Sequence, residues 1–364
     1  TGGQTMSYTL DIPHGAFHTV TAPEHCAWPN LTLLPGDEIG AVIHNQPSHA
    51  GMVGDVELWV SGDAGETWQM RSQISDHEPG HVRMNVAAGL NQDDELIVLC
   101  SGWNLDRQGC QTRAEDVDEA LVYISSDGGH TWESAGEMPP PPETIGFTPF
   151  GDTNIAGDSL VVAGYTREFV DGTMMATDAH LYRSDDRGRT WEHVTTIDEG
   201  DHNETDLLVQ DDGLWLASVR VGDRAKHPGY DRHKNEPYIV LYTSDNHGES
   251  WQEDQRLTRP SQHTSHLLGL NDGRVLLTYG SRMSEMYGVV GRISEDRGDT
   301  WSQPFKLVGD FLSRDCGYPS DVQLANGDIV TAYYSKSSPW CQRYHMGVLR
   351  WNPEMIDIQI PGKS

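Results

Sequence analysis

An eight-residue pattern, Ser-x-Asp-x-Gly-x-[Thr/Ser]-Trp, occurs five times in this chain of 364 residues, and it restricts the fold more than any other feature. The copies begin at Ser61, Ser125, Ser184, Ser244 and Ser294, at intervals of 64, 59, 60 and 50 residues. The fourth carries Asn246 where the others carry Asp. Such a pattern suits a tight hairpin. Asp and Ser side chains satisfy backbone N–H groups inside the turn. The Gly takes a positive φ without steric cost, and the Trp folds back over the apolar side of the hairpin. These residues are therefore expected to be structural.

A second repeat gives the count independently. An apolar run, a Gly/Asp/Asn turn and another apolar run recur six times: at 31–42, 85–99, 153–163, 207–219, 267–278 and 322–332. Each reads as a β-hairpin, and all but the last are followed by a copy of the eight-residue pattern. Six hairpins at roughly 60-residue intervals predict an all-β chain, a six-bladed β-propeller with four-stranded antiparallel blades. The whole chain, 1–364, reads as one domain. Because the sixth blade lacks the motif, the N-terminal segment Ser7–Ile12 is expected to supply its last strand and close the ring.

Composition agrees. Only 36% of residues are hydrophobic, yet there are 11 Trp, 13 Tyr and 38 Gly, which suits many short strands and turns. No run of 18 apolar residues occurs, so no membrane partner is expected. A formal charge of −30 argues against nucleic acid and anionic membrane surfaces. Five scattered cysteines make no disulfide framework, although Cys100 and Cys110 are near enough in sequence to pair. No CxxC or HExxH motif points to zinc, and neither a metal nor a cofactor is expected. The opening Thr1-Gly2-Gly3-Gln4 leaves a leader peptide unreadable in either direction.

The long connections are where function is expected. They are Trp103–Ala120, the stiff Pro139–Pro142 run, and Gly222–Pro237. The last gathers Arg224, Lys226, His227, Arg232, His233 and Lys234 in an otherwise acidic chain. It reads equally as a lid over an anionic ligand or as a solvated loop.

Five such motifs, known as Asp boxes, on six hairpin units resemble the sialidase (neuraminidase) superfamily over essentially the whole chain. That resemblance implies an axial site with a Tyr nucleophile, a partner Glu, Arg residues gripping a substrate carboxylate, and an Asp acid/base. The Asn203-Glu204 pair matches the family's Glu, and Arg220 follows sixteen residues later. Tyr318, nine residues before the turn residue Gly327, matches the nucleophile. Arg282 is the first choice for a further Arg and Arg292 the second. In chemical terms, Glu204 would take the phenolic proton as Tyr318 attacks the anomeric carbon. Two guanidinium forks would hold a carboxylate.

The first blade departs from the family. Ala27 stands where the resemblance requires Arg, and Gly51 where it requires the Asp acid/base. His49 is the substitute acid, since imidazole donates a proton near neutral pH. Arg83 would restore a third cation from the second blade, and His263 and His266 add imidazoles from the fifth. His81 and His202 read as structural or solvated.

Three functions follow, in order. The first is an exo-acting, sialidase-like glycoside hydrolase that removes a terminal acidic sugar from a glycan. The second is a glycosidase or lyase acting on another, uronate-type sugar through His49 and Tyr318. The third is a non-catalytic sugar-binding propeller. A glycan partner favours a secreted or periplasmic location; oligomeric state is not legible.

Overall fold

The structure, a computed structural model, describes residues 12–49, 51–105, 117–142, 144–170, 173–210, 213–222 and 236–359. Among these the regular structure is almost wholly β, with one 3₁₀ turn at Pro353–Met355. Strand β1 (Phe17–Thr21) stands apart from the sequential order. The first sheet is β2 (Asn30–Leu34), β3 (Glu38–His44), β4 (Val56–Ser61) and β5 (Gln69–Gln73). The second is β6 (His81–Leu90), β7 (Leu96–Asn104), β8 (Val117–Ser125) and β9 (Glu133–Met138). The third is β10 (Ile145–Ala156), β11 (Ser159–Val170), β13 (Ala179–Ser184) and β14 (Glu192–Asp198), with β12 (Thr173–Ala176) beside β11.

The fourth sheet is β15 (His202–Val209), β16 (Trp215–Val221), β17 (Tyr238–Ser244) and β18 (Gln252–Arg256). The fifth is β19 (Gln262–Gly269), β20 (Val275–Ser281), β21 (Gly288–Ser294) and β22 (Phe305–Val308). In the sixth, β23 (Cys316–Gln323), β24 (Ile329–Ser335) and β25 (His345–Trp351) are joined by β1. Neighbours within every sheet are antiparallel. A short parallel pairing, Gly151 with Ala87 and Asp152 with Ala88, joins the second and third sheets through β10 and β6.

The six hairpins expected from sequence are the first two strands of the six sheets. The expected closing strand is corrected. Phe17–Thr21, not Ser7–Ile12, pairs with β25, with Phe17 opposite Arg350 and Thr21 opposite Met346. Residues 7–11 lie outside the described part. Strand β1, Phe-His-Thr-Val-Thr, is of intermediate burial throughout and forms the edge of its sheet.

Each sheet packs on both neighbours, so the apolar residues divide into six clusters between successive sheets. Leu58 of the first sheet meets Val98 of the second, Leu99 meets Leu160 of the third, and Ala163 meets Val219 of the fourth. Leu241 meets Leu277, Leu307 meets Tyr333, and Val330 returns to Ile39 of the first sheet. The first strands touch in the same cycle, β2 to β6, β10, β15, β19, β23 and back to β2. Burial on both faces explains why second strands such as Val-Leu-Leu-Thr-Tyr-Gly-Ser read as continuous rather than alternating runs.

The boxes make the bonds that their side chains predict. Ser184 Oγ accepts from Gly188 N at 2.9 Å and donates to Asp186 at 2.8 Å. Asp186 in turn accepts from Thr190 N and Thr190 Oγ1 at 2.8 and 2.7 Å. Gly188 has φ +88°, and a Cβ there would press on Ile97 of the preceding sheet at 3.1 Å. Asn246 keeps the geometry because its Nδ2 donates to Ser250 Oγ at 2.9 Å, where an Asp would accept from a hydroxyl. Cys26, Cys100, Cys316 and Cys341 are free thiols, and Cys110, the candidate partner of Cys100, lies outside the described residues.

Removing the buried hydroxyl in Ser184→Ala leaves Gly188 N–H unsatisfied. The substitution should cost about 1–3 kcal/mol, read as a lower urea midpoint at unchanged slope.

Candidate functional site

The opening segments of the first strands are irregular at one common level. Register shifts fall between Met84 and Val86, His202 and Thr205, Gln262 and Ser265, and Gly317 and Ser320. A bulge re-aims the side chains it contains. Here those include Glu204, His263 and Tyr318. Three non-glycine residues at this level hold positive φ: Trp28 (+40°), Thr264 (+30°) and Tyr318 (+50°). Such backbone costs energy of order 1–3 kcal/mol per residue and persists only where surroundings enforce it. The enforcement at Tyr318 is visible: a Cβ on Gly317 would lie 2.8 Å from Gly280 Cα, so the two backbones touch where only glycine fits.

Tyr318 OH donates to Glu204 Oε1 at 2.5 Å. Arg220 Nη1 donates to both Glu204 oxygens at 2.8 and 2.9 Å and lies 3.4 Å from the phenolic oxygen. Both Tyr318 and Glu204 are buried. Burial and then the Glu204 carboxylate push the phenol far above its ordinary value, against the pull of Arg220 and Arg282. Burial opposes the charge on Glu204, yet Arg220 and the Tyr318 hydroxyl outweigh it and hold the carboxyl below its usual value. The resting pair is thus a neutral phenol hydrogen-bonded to a carboxylate.

Arg282 lies with its guanidinium carbon 5.6 Å from the centre of the Tyr318 ring. Its Nε donates to Cys316 O and its Nη2 to Tyr334 OH, each at 3.0 Å. The second choice, Arg292, instead caps backbone carbonyls of Leu257 and Ser302. Tyr334 and Tyr344 both donate to Asp315, and His49 Nδ1 lies 3.5 Å from the same carboxylate. Burial opposes the Asp315 charge, but His49 and the two hydroxyls hold its carboxyl well below the usual range. His49 is half-exposed and meets the edge of Trp28, which also packs on Tyr318 and Tyr334. Trp28, Tyr334 and Phe150 wall the phenol with aromatic surface.

Five of the seven site residues named from sequence therefore gather: Tyr318, Glu204, Arg220, Arg282 and, at the rim, His49. Arg83 does not join them. Its guanidinium donates to Glu119 O at 2.9 Å, within the second sheet. His266 lies deeper, between Asp321 at 3.1 Å and Asp152 at 3.2 Å. Burial opposes its charge, but Asp152 and Asp206 raise its pKa well above the ordinary value. His81 bonds Asp118 at 2.8 Å. The basic residues at 224–234 lie outside the described residues.

Sequence reading missed Asp315, Trp28 and Arg167. Arg167 is buried, donates to Thr148 Oγ1 at 2.8 Å and to Tyr165 OH at 3.2 Å, and sits 3.9 Å above Trp103. It was findable: Arg167 and Arg220 stand among the last residues of the second strands Ser159–Val170 and Trp215–Val221, and Arg282 directly follows the second strand Val275–Ser281. His263, also buried, is held well below its usual pKa by burial and by Arg220, Arg282 and Arg314, so its imidazole is neutral.

With this geometry in view, the comparisons are informative. The profile of the BNR repeat-like domain family matches residues 52–331. The chain belongs to that family. This accords with the sialidase-superfamily resemblance carried by its boxes. No curated protein sequence matches the chain. A Dyadobacter fermentans protein of unknown function superimposes with a TM-score of 0.73 at 21% identity, over 92% of this chain and 99% of that one. The Hadza microbial sialidase Hz136 gives 0.70 at 16% identity, over 91% of this chain and 66% of the other. The Trypanosoma rangeli sialidase in complex with sialic acid gives 0.64 at 14%, over 94% and 60%. This BNR-repeat chain thus shares its fold with sialidases and spans about two thirds or less of the length of these two.

His44, stacked on Trp28, has its imidazole pushed down to about 4 by burial, as have His18 and His180. A depressed histidine stabilises the fold above its unfolded pKa of about 6.5, and that contribution is lost as pH falls towards 4. Thermal midpoints should therefore fall between pH 6.5 and 4. His44→Gln should flatten that fall by at most about 1.4 kcal/mol per pH unit.

Proposed function

We propose that the six sheets are the blades of a six-bladed propeller spanning 1–364, and that its axial site is that of a sialidase-like exo-glycosidase. The reading rests above all on the 2.5 Å bond from Tyr318 OH to Glu204, with Arg220 bracing the carboxylate. Tyr318 attacks the anomeric carbon while its proton passes to Glu204, so the phenolate never stands free. A neutral nucleophile suits a substrate whose own carboxylate would repel an anion. Arg282 Nη1, without a partner among the described residues, is the first donor to that carboxylate.

His49 gives its proton to the departing glycosidic oxygen, with the Asp315 carboxylate 3.5 Å from its Nδ1. The neutral imidazole then takes a proton from water as water attacks the glycosyl–Tyr318 bond. Glu204 returns the phenolic proton, and configuration is retained over the two displacements. Here the acid is an imidazole on the first sheet, in place of the Asp expected at Gly51.

A second reading is favoured by one observation. Ala27 is fully buried and Trp28 takes up the wall above Tyr318, so the first sheet contributes an aromatic surface in place of a guanidinium. A uronate-type sugar, whose carboxylate is not on the anomeric carbon, would accept that wall, and His49 with Tyr318 would serve as base and acid in an elimination.

Turnover of a fluorogenic sialoside by wild type should fall roughly 10³-fold in Tyr318→Phe; undiminished turnover in that variant would sink the nucleophile assignment. His49→Asn should lose about 10²–10⁴-fold on a natural glycoside but far less on an aryl glycoside, whose leaving group needs no proton. A product from a uronate polymer that gains ultraviolet absorbance would decide for elimination.

A further inference from the structure

Beneath Tyr318 lies a second cluster that the chemistry above does not use. We propose that Asp152, Asp206 and His266, with the side-chain oxygen of Asn30, form a binding site for one hard divalent cation, calcium or manganese. A ligand atom from each of Asp152, Asp206 and His266 lies within 4.8 Å of the others. That spacing suits a central ion at the calcium–oxygen distance of about 2.3–2.6 Å. The ligands come from β10, β15 and β19, three first strands that converge at this depth.

Asn30, on β2, supplies an independent sign. It is only 4% exposed, and its Nδ2 donates to Gly151 O at 2.8 Å and to Asp152 Oδ1 at 3.1 Å. Its Oδ1 is buried with no hydrogen-bond partner. Buried amide oxygens are rarely left so, and a cation beside Asp152 would use it. A cavity of about 20 Å³ lies between this cluster and the phenol above, lined among others by Trp28, Asn30, Phe150, Gly151, His266 and Tyr318. It has room for a single water-sized occupant.

The imidazole is oriented for ligation. His266 Nδ1 faces Asp321 Oδ2 at 3.1 Å, and Asp321 is itself fixed by the hydroxyls of Thr278 and Thr331. The His266 Nε2 faces Asp152 Oδ2, 3.2 Å away, and an ion bound there would take the place of the Nε2 proton. A carboxylate holding a ligating histidine by its far nitrogen is the usual outer support of a metal site. Charge points the same way. Asp152, Asp206 and Asp321 share one imidazole, and no Lys or Arg bonds to any of them among the described residues. Carboxylate and amide oxygens select a hard ion, and one imidazole leaves manganese as acceptable as calcium. The ion would clamp the first, third, fourth and fifth sheets under the site.

The test uses the intact chain, stripped with EDTA and melted at constant ionic strength with millimolar Ca²⁺, Mn²⁺ or Mg²⁺. Calcium or manganese should raise the midpoint by about 2–4 °C, magnesium by less, with EDTA reversing the gain. Asp152→Asn should abolish the shift, while Asp76→Asn, in the separate group of Asp55, Asp76 and His77, should keep it. No shift with any cation, or an equal shift in Asp152→Asn, overturns the proposal and leaves a buried ion-pair network. Should Asp152→Asn not fold, pulsed electron paramagnetic resonance on Mn²⁺-loaded wild type replaces it. A directly bound imidazole nitrogen supports the site, and its absence refutes it.

Discussion

Six first strands crowd together in this chain without joining into one sheet, and most of what is specific about the molecule follows from how their polar groups are satisfied. Away from the β6–β10 contact, side chains reach across where ladder bonds would otherwise run. Leu31 N donates to Ser320 Oγ, Asp152 N and Leu267 N both donate to Asp206, and Asn154 Nδ2 donates to Leu207 O. Each is a bond from one sheet to the next, made by a short polar side chain where an apolar one would leave the backbone unpaired. Close approach also decides residue type. A Cβ on Gly151 would fall 2.2 Å from Asp206 Oδ1.

The same crowding produces the site. Strands that converge cannot all stay regular, and their bulges lie at one level, turning Glu204, His263 and Tyr318 into shared space. Guanidinium groups from the ends of second strands then meet them from outside. The result is a local excess of cations, Arg167, Arg220 and Arg282, in a chain of net charge −30. Long-range repulsion by the acidic surface is screened within about 10 Å by salt. At contact distance the buried pairs govern which proton sits where. An acidic chain therefore accommodates a buried group of three guanidinium side chains.

How much of the site was legible depends on whether a residue's role is set by its place in a repeat. Glu204, Arg220, Arg282 and Tyr318 stand at fixed offsets from hairpin turns, and a turn pins the register of its strands. Their convergence was legible because the sialidase-superfamily resemblance implied it at those positions. Arg83 shows the limit of that reading. It has the right position on β6, but the bulge between Met84 and Val86 separates it from the site level, and its guanidinium finds Glu119 O instead. His266 lies beyond the corresponding bulge of β19 and so lines the floor. Asp315, in a connection outside any repeat, offered no offset to count from.

The repeated boxes and hairpins determined, from sequence alone, that the chain is β, that its units number six and that five of them carry a Trp-covered turn. Those are local properties, fixed within about eight residues by turn chemistry and strand patterning. Which strand completes the sixth sheet was not local: Phe17–Thr21 is more than 300 residues from its partner β25, and several N-terminal stretches pattern equally well. The pairing of His49 with Asp315, the stacking of Trp103 on Arg167 and the gathering of Asp152, Asp206 and His266 were likewise decided only in three dimensions. Each joins different sheets, and the separation and angle of packed sheets depend on the whole set of side chains between them.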